Sequence, residues 1–409
     1  MCLPRALYNR YAKLKVSCYP APPGLHEQLL GGNIDPKEVE KALLGQKEDY
    51  PNGIPECGAD ALRFALCAYT LPGRKINLDV LRVQGYRFFC NKMWNATKFA
   101  MLSLGADFKP APTTTTGRLV SESPMDRWIL SRLSNAVKIC QEGFAAYDFP
   151  AVTTACYNFW LYELCDVYLE CLKPVFQGDD AAAAAVARQT LYTCLDAGLR
   201  LISPFMPFVT EELWQRLPRR PSADPAPPSI CVAAYPEMDH AEGGWSDAKI
   251  EEEVELMMAV VKTIRSSRSD YNLAPKQKTD VFLKCEDRSI VDALSVFILW
   301  IQTLASSTLK IAVDVDPPAG SAVATVNDKV AAFVVLKGLV DAEKEVAKLE
   351  KKLEEMVKTL GKLREAAAQP GYEEKVPEAV RAEKAEKMAQ LEGEMKKIEE
   401  GIPLLKKML

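Results

Sequence analysis

VQGYRFFCNKMWNATKFAMLSL, running from Val83 to Leu104, is the stretch whose reading decides the rest of the chain. At 3.6 residues per turn, Phe88, Asn91, Lys92, Asn95, Lys98 and Phe99 crowd one sector of a helix. Phe89, Met93, Ala96 and Ala100 mark a more uniformly apolar sector. A helix that gathers cations, amides and rings on one side has the chemistry for a folded RNA. Cations meet phosphates, amides meet base edges, and a ring offers a stacking plane to an unpaired base. The plainer alternative is a bundle helix with Lys92 and Lys98 in water and both aromatics in the core.

Around this helix the pattern predicts an α-helical bundle with helices over 77–104, 123–145, 149–175, 181–202 and 207–217. Ser123-Pro124 is a start signal, with Trp128, Leu130 and Leu133 on the buried side. FWLYELCDVYLECLK is apolar almost all round, so the third helix should be central. Its Glu163, Asp166 and Glu170 resemble paired catalytic carboxylates. Without a nearby histidine, nucleophile or glycine-rich loop they read as a polar stripe. Trp160 and Trp214 read as core anchors. Lys109–Arg118 and Pro218–Pro228 have linker composition.

Upstream, Asp35-Pro36 starts a short helix over Pro36–Leu44, and Asp60 is placed to cap ALRFALCAY. Downstream, a helix over Asp247–Ser269 carries Lys262, Arg265 and Arg268 in its last turns, where the helix dipole favours cations. TDVFLKC, LKIAVDV, AVATV and VAAFVVL then alternate as strands, with an apolar helix over Ser289–Ala305 between the first two. They predict a small α+β subdomain, antiparallel in part. Val346, Leu349, Leu353, Met356, Leu360, Leu363 and Ala367 alternate steps of three and four. After a Pro/Gly break the rhythm resumes through Met388, Leu391, Met395, Ile398, Ile402, Leu405 and Leu409. Two such seams predict an antiparallel coiled-coil hairpin with arms of roughly 38 Å, with a dimerisation hairpin as the competing view.

The 409 residues carry 51 Lys+Arg against 55 Asp+Glu, so any attraction for nucleic acid has to be local. It is local between Arg74 and Lys98, where Arg74, Lys75, Arg82, Arg87, Lys92 and Lys98 face the single acid Asp79. The 12 cysteines form no CxxC pair and read as thiols of a reducing compartment. With His26 and His240 as the two histidines, a Cys/His zinc site is not expected, and no apolar run has the length of a membrane helix. Residues 1–23 hold Arg5, Arg10, Lys13 and Lys15 without an acid, which vaguely suits organelle targeting. A single serine and Pro20, Pro22 and Pro23 argue against that, and the expectation is that the chain begins partway through a longer protein.

Three runs carry a family resemblance. GNIDPKEVEKALLGQKEDYPNGIPECGADALRFALCAYT (Gly32–Thr70) and GRKINLDVLRVQGYRFFCNKMWNATKF (Gly73–Phe99) closely resemble cytosolic-type eukaryotic valyl-tRNA synthetases. PFMPFVTEELWQRLP (Pro204–Pro218) looks like a run shared by the class I synthetases for valine, isoleucine and leucine. The resemblance implies a mainly α chain in five parts. These are an atypical segment (1–23), a remnant of the stem-contact region after the ATP-site loop (24–72) and an anticodon-binding helical bundle (73–235). A helix plus small α+β subdomain (236–338) and a coiled-coil tRNA-binding arm (339–409) follow.

The same resemblance implies what is missing. Class I catalysis uses a His-x-Gly-His-type sequence and a KMSKS loop to handle ATP phosphates. The two histidines lie far apart, and Lys92-Met93-Trp94-Asn95-Ala96 begins like KMSKS but lacks its second lysine and serines. Where the loop is expected, residues 2–6 read CLPRA. The expectation is therefore the tRNA-recognising part of a valine–tRNA ligase, inactive alone, with no catalytic or metal residue. ATP and magnesium would belong to the full enzyme. The implied tRNA-binding residues are Asn95, Lys98 and Phe99 near the anticodon, then Asn91 and Lys92 for backbone, with Arg87 and Arg63 behind them. Arg63 looks like a contact to phosphate or to the adjoining catalytic domain, with a surface salt bridge as the bland alternative. Expected partners are the valine tRNA, a missing catalytic domain and other synthetase-complex proteins, in the cytoplasm and away from membranes. The competing class is a non-catalytic RNA-binding or coiled-coil scaffold protein of the same ancestry.

Overall fold

The computed structural model describes residues 31, 35–49, 55–69, 79–111, 122–220, 227–237, 245–274, 277–313, 320–336 and 342–367. It also describes the helical residues 381, 388, 395, 402 and 403. The expectations for residues 1–23, for most of the 109–118 linker and for much of the second coiled-coil arm lie outside these. The chain divides into two compact units, Met1–Ile250 and Glu251–Leu409.

In the first unit, α1 (Pro36–Asp49) and α2 (Ala59–Ala68) precede α3 (Val80–Leu104) and α4 (Pro124–Ala145). A long central rod follows as α5 (Phe149–Asn158), a π-helical segment (Phe159–Tyr168) and α6 (Leu169–Gln177). Then come α7 (Ala181–Ile202) and α8 (Pro207–Trp214). The helix starts follow local chemistry. Asp79 accepts from the Leu81 N–H, and Asp180 accepts from Ala182 and Ala183. Ser123 and Asp126 form a reciprocal capping box with Pro124 at the first helical position.

The central rod differs from the uniform α-helix expected over 149–175. Its ten middle residues are π-helical, and this is where Phe159 and Trp160 press against α7. Gly198 makes that approach possible. A Cβ there would lie 3.1 Å from both Phe159 Cε1 and Trp160 Nε1. With no side chain in the way, Trp160 Nε1 donates to the Gly198 carbonyl at 2.9 Å. Trp160, Leu164, Tyr168, Leu191 and Leu195 are fully buried around this contact.

Asp60 corrects a second expectation. It does not cap its own helix, because α2 already begins at Ala59, after Gly58 at φ 85°. Its carboxylate instead accepts from the Phe208 and Val209 N–H groups at 3.2 and 2.8 Å, capping α8 from outside. Burial pushes the Asp60 carboxyl upward, and these two N–H bonds oppose that.

The second unit takes α9 (Ala248–Asp270) into a small sheet with two helices. β1 (Thr279–Cys285) is followed by α10 (Arg288–Ser295), α11 (Ile298–Ala305), β2 (Ser307–Ala312), β3 (Ser321–Asn327) and β4 (Val330–Val335). The strand order is β2-β1-β4-β3, with β1 parallel to β2 and the other pairs antiparallel. The single apolar helix expected over 289–305 is two helices bent by 70°, with the buried Phe297 at the break. The cations late in α9 do more than meet a dipole. Arg268 donates to Thr279 Oγ1 and to the Ser306 and Ala274 carbonyls, and Arg265 donates to the Leu304 carbonyl. Last, α12 (Ala342–Ala367) buries Met356 and Leu360 and half-buries Leu353 and Leu363, in the expected heptad phase.

Candidate nucleic-acid interface

The face of α3 turned into the bundle is apolar. Val83, Phe89, Cys90, Met93, Ala96, Ala100 and Leu104 are buried along it. Its partners include Phe64 of α2, Tyr157 of α5 and Met206, which lies 3.9 Å from Cys90 sulfur to sulfur. Thr97, the one polar residue in this line, satisfies itself by donating to the Met93 carbonyl. Among the described residues, the packing that holds α3 comes from this side.

The other side stays open. Leu81, Gly85, Phe88, Lys92, Asn95, Lys98 and Leu102 are all exposed, at steps of three and four. The line runs about 32 Å along the helix at 1.5 Å per residue. Phe88 is a large ring 61% exposed to water. Asn91 and Phe99 sit half-buried at the edges of the line.

Among the described residues, Lys92 is the one cation of the line with a protein partner in hand. Its Nζ donates to Asp166 Oδ1 at 2.6 Å, a bond that raises the lysine above its usual range. Both side chains are more than 40% exposed, so the pair contributes about 0–1 kcal/mol and is readily exchanged for a phosphate. The polar stripe of the central rod is thus divided among cations. Asp166 goes to Lys92, Glu163 to Arg132 of α4, and Glu170 to Lys173 of its own turn.

The seven expected RNA-binding residues fall into two places. Asn91, Lys92, Asn95, Lys98 and Phe99 share the outer side of α3. Arg63 and Arg87 lie instead at the α2 junction. Arg63, an exposed residue, donates to the Phe205 and Pro204 carbonyls. Arg87 is half-buried, with a guanidinium nitrogen beside Gly58 and its charge near the Asp60 carboxylate. Arg74 and Lys75 lie outside the described residues.

Sequence reasoning missed Tyr162, which is 55% exposed on the π-helical segment. It ends a chain of ring contacts from Phe64 through Tyr86 and Tyr157, at centroid separations of 4.8, 5.9 and 6.0 Å. A 3.6-residue period misplaces side chains across a π-helical stretch, so only the tyrosine's residue type pointed to it.

Residues 126–283 match the family described as the anticodon-binding domain of tRNA ligase. Residues 341–406 match the valyl tRNA synthetase tRNA binding arm. The valine–tRNA ligases of Homo sapiens and Rattus norvegicus are 54% and 53% identical to this chain over 388 residues. Over nearly its whole length, this chain is similar to part of the valine–tRNA ligases. The alignment takes in 94% of it and 30% of either of those two ligases, so it spans about a third of their length. A mitochondrial valine–tRNA ligase of Mus musculus is 37% identical over 387 residues, covering 94% of the chain and 35% of that protein. A solved ternary complex of an Agrobacterium radiobacter LeuRS with tRNA and LeuAMS covers 61% of the chain and 29% of that protein. Its identity is 18% and its TM-score 0.34, so it carries no argument about the fold.

As in the sequence reading, the KMWNA run lies within α3, inside a regular helix. Among the described residues no single helix is long and apolar enough to cross a membrane.

Proposed function

We propose that this chain recognises the tRNA for valine, and that the outer side of α3 meets its anticodon loop. The observation that carries this reading is the exposed line of α3. It keeps a ring, two lysines and an amide in water on a helix whose opposite side is locked into a bundle. Lys92 and Lys98 then serve phosphates, Asn95 a base edge, and Phe99 a splayed base, with Asn91 at the margin. The family matches over 126–283 and 341–406 support tRNA as the partner.

The carboxy-terminal arm is a coiled-coil hairpin in this proposal. Met388, Met395 and Ile402, three residues of the expected second seam, are helical. Activation of valine with ATP and magnesium belongs to a full-length ligase, in the cytoplasm. The chain alone performs none of it, because His26 and His240 are too far apart for a His-x-Gly-His-type sequence.

Binding to transcribed valine tRNA and to a non-cognate tRNA, each across a salt series, tests the proposal. Phe99→Ala should weaken cognate binding about tenfold, the scale of one lost stacking contact. Lys98→Glu should weaken both tRNAs and lower the salt slope by about one. Wild-type affinity in both folded variants, or no preference for the cognate tRNA, would remove the α3 assignment.

A further inference from the structure

The sheet of the second unit has one covered and one open face. Thr279, Val281, Leu283 and Cys285 of β1 are buried, with Ala332 and Val334 beside them on β4. α10 and α11 pack against β1 and β2, and Arg268 reaches Thr279 from α9. On the opposite face the register places four residues in one row across all four strands. Lys310 of β2 pairs with Phe282 of β1, Phe282 with Phe333 of β4, and Phe333 with Val323 of β3.

This row is not a second core. Val323 is 49% exposed, Lys310 is exposed, and both phenylalanines are only half-buried. Lys284, also exposed, lies two residues along β1 from Phe282 and therefore on the same face. The Lys310 ammonium stands 5.4 Å from the Phe282 ring centroid. Asp280, the acid on this side of β1, accepts a hydrogen bond from the Thr308 hydroxyl.

Two rings on adjacent central strands, flanked by ammonium groups, suit an unpaired nucleotide better than an apolar peptide. A base finds a stacking plane, and its phosphates find cations. A purely apolar partner would leave both lysines to be desolvated without an anion. We propose that the open face of this sheet is a second RNA-contact surface, where Phe282 and Phe333 stack an unpaired base and Lys284 and Lys310 hold the adjoining phosphates. This rests on the RNA binding proposed above but uses different residues.

The test uses the full chain and transcribed valine tRNA across a salt series. The pair Phe282→Leu/Phe333→Leu keeps apolar volume on the sheet while removing the stacking planes. It should weaken binding about tenfold. The pair Lys284→Glu/Lys310→Glu changes only exposed positions and should lower the salt slope by about two. If the leucine pair fails to fold, the charge pair alone decides. Wild-type affinity and slope in the folded variants overturn the proposal, even where Lys98→Glu and Phe99→Ala weaken binding. The reverse pattern, with the sheet variants weakened and the α3 variants normal, sinks the α3 assignment and leaves this one standing.

Discussion

Trp160→Ala is expected to lower the unfolding free energy of the helical bundle by about 3–5 kcal/mol, read from the shift in its urea midpoint. Trp160 is fully buried at the start of the π-helical segment, where its ring lies on the backbone of α7. Truncation removes that packing and leaves a cavity between two helices that cannot close. The Gly198 carbonyl also loses the indole N–H donor at 2.9 Å. Trp160→Phe separates the two contributions. It keeps most of the apolar area but not the donor, so it should cost about 1–2 kcal/mol. A loss below about 1 kcal/mol for the alanine variant would show that the α7 contact is not what holds the rod.

Asp60→Ala is the second large effect, at about 2–3 kcal/mol, because two backbone N–H groups lose a charge-assisted acceptor together. The damage should be localised. Phe208 and Val209 amides should exchange faster with deuterated solvent, while amides near Trp160 keep their protection. Asp60→Asn should fall in between, since its one carbonyl oxygen replaces only part of the carboxylate's capacity. Arg63 ties α2 to the turn before α8 through the Pro204 and Phe205 carbonyls, so α2 should loosen in the alanine variant rather than detach. Unchanged exchange at Phe208 and Val209 would show that the capping bond contributes nothing.

The bundle was legible because its helices announce themselves by period and cap. Expected helices over 77–104, 123–145, 181–202 and 207–217 became Val80–Leu104, Pro124–Ala145, Ala181–Ile202 and Pro207–Trp214. Both tryptophans taken as core anchors are buried, with Trp214 Nε1 donating to Asp196. The open side of α3 followed from the same period. Phe88, Lys92, Asn95 and Lys98 are the residues that face water there.

What escaped the sequence was set by long-range geometry. Asp60 stands where a local cap belongs, but its acceptor serves a helix nearly 150 residues away, and no short-range pattern encodes that. The partners of Arg63 and Arg87 within the chain appear only when folding places carbonyls and a carboxylate beside them. The close approach of Phe159 and Trp160 to α7 depends on Gly198, a residue whose neighbours in sequence give no sign of it. The row Lys310-Phe282-Phe333-Val323 exists only through strand register, because its members lie on four strands of mixed direction.

The most direct measurement of the central claim replaces Asn95 with photoreactive benzoylphenylalanine, at the middle of the open line on α3. The full chain is then crosslinked to transcribed valine tRNA, and the attached nucleotides are mapped by primer extension. Crosslinks in the anticodon loop, competed away by unlabelled cognate tRNA, are the predicted result. Crosslinks confined to the acceptor stem or elbow, or none at all from a chain that still binds the tRNA, would contradict it.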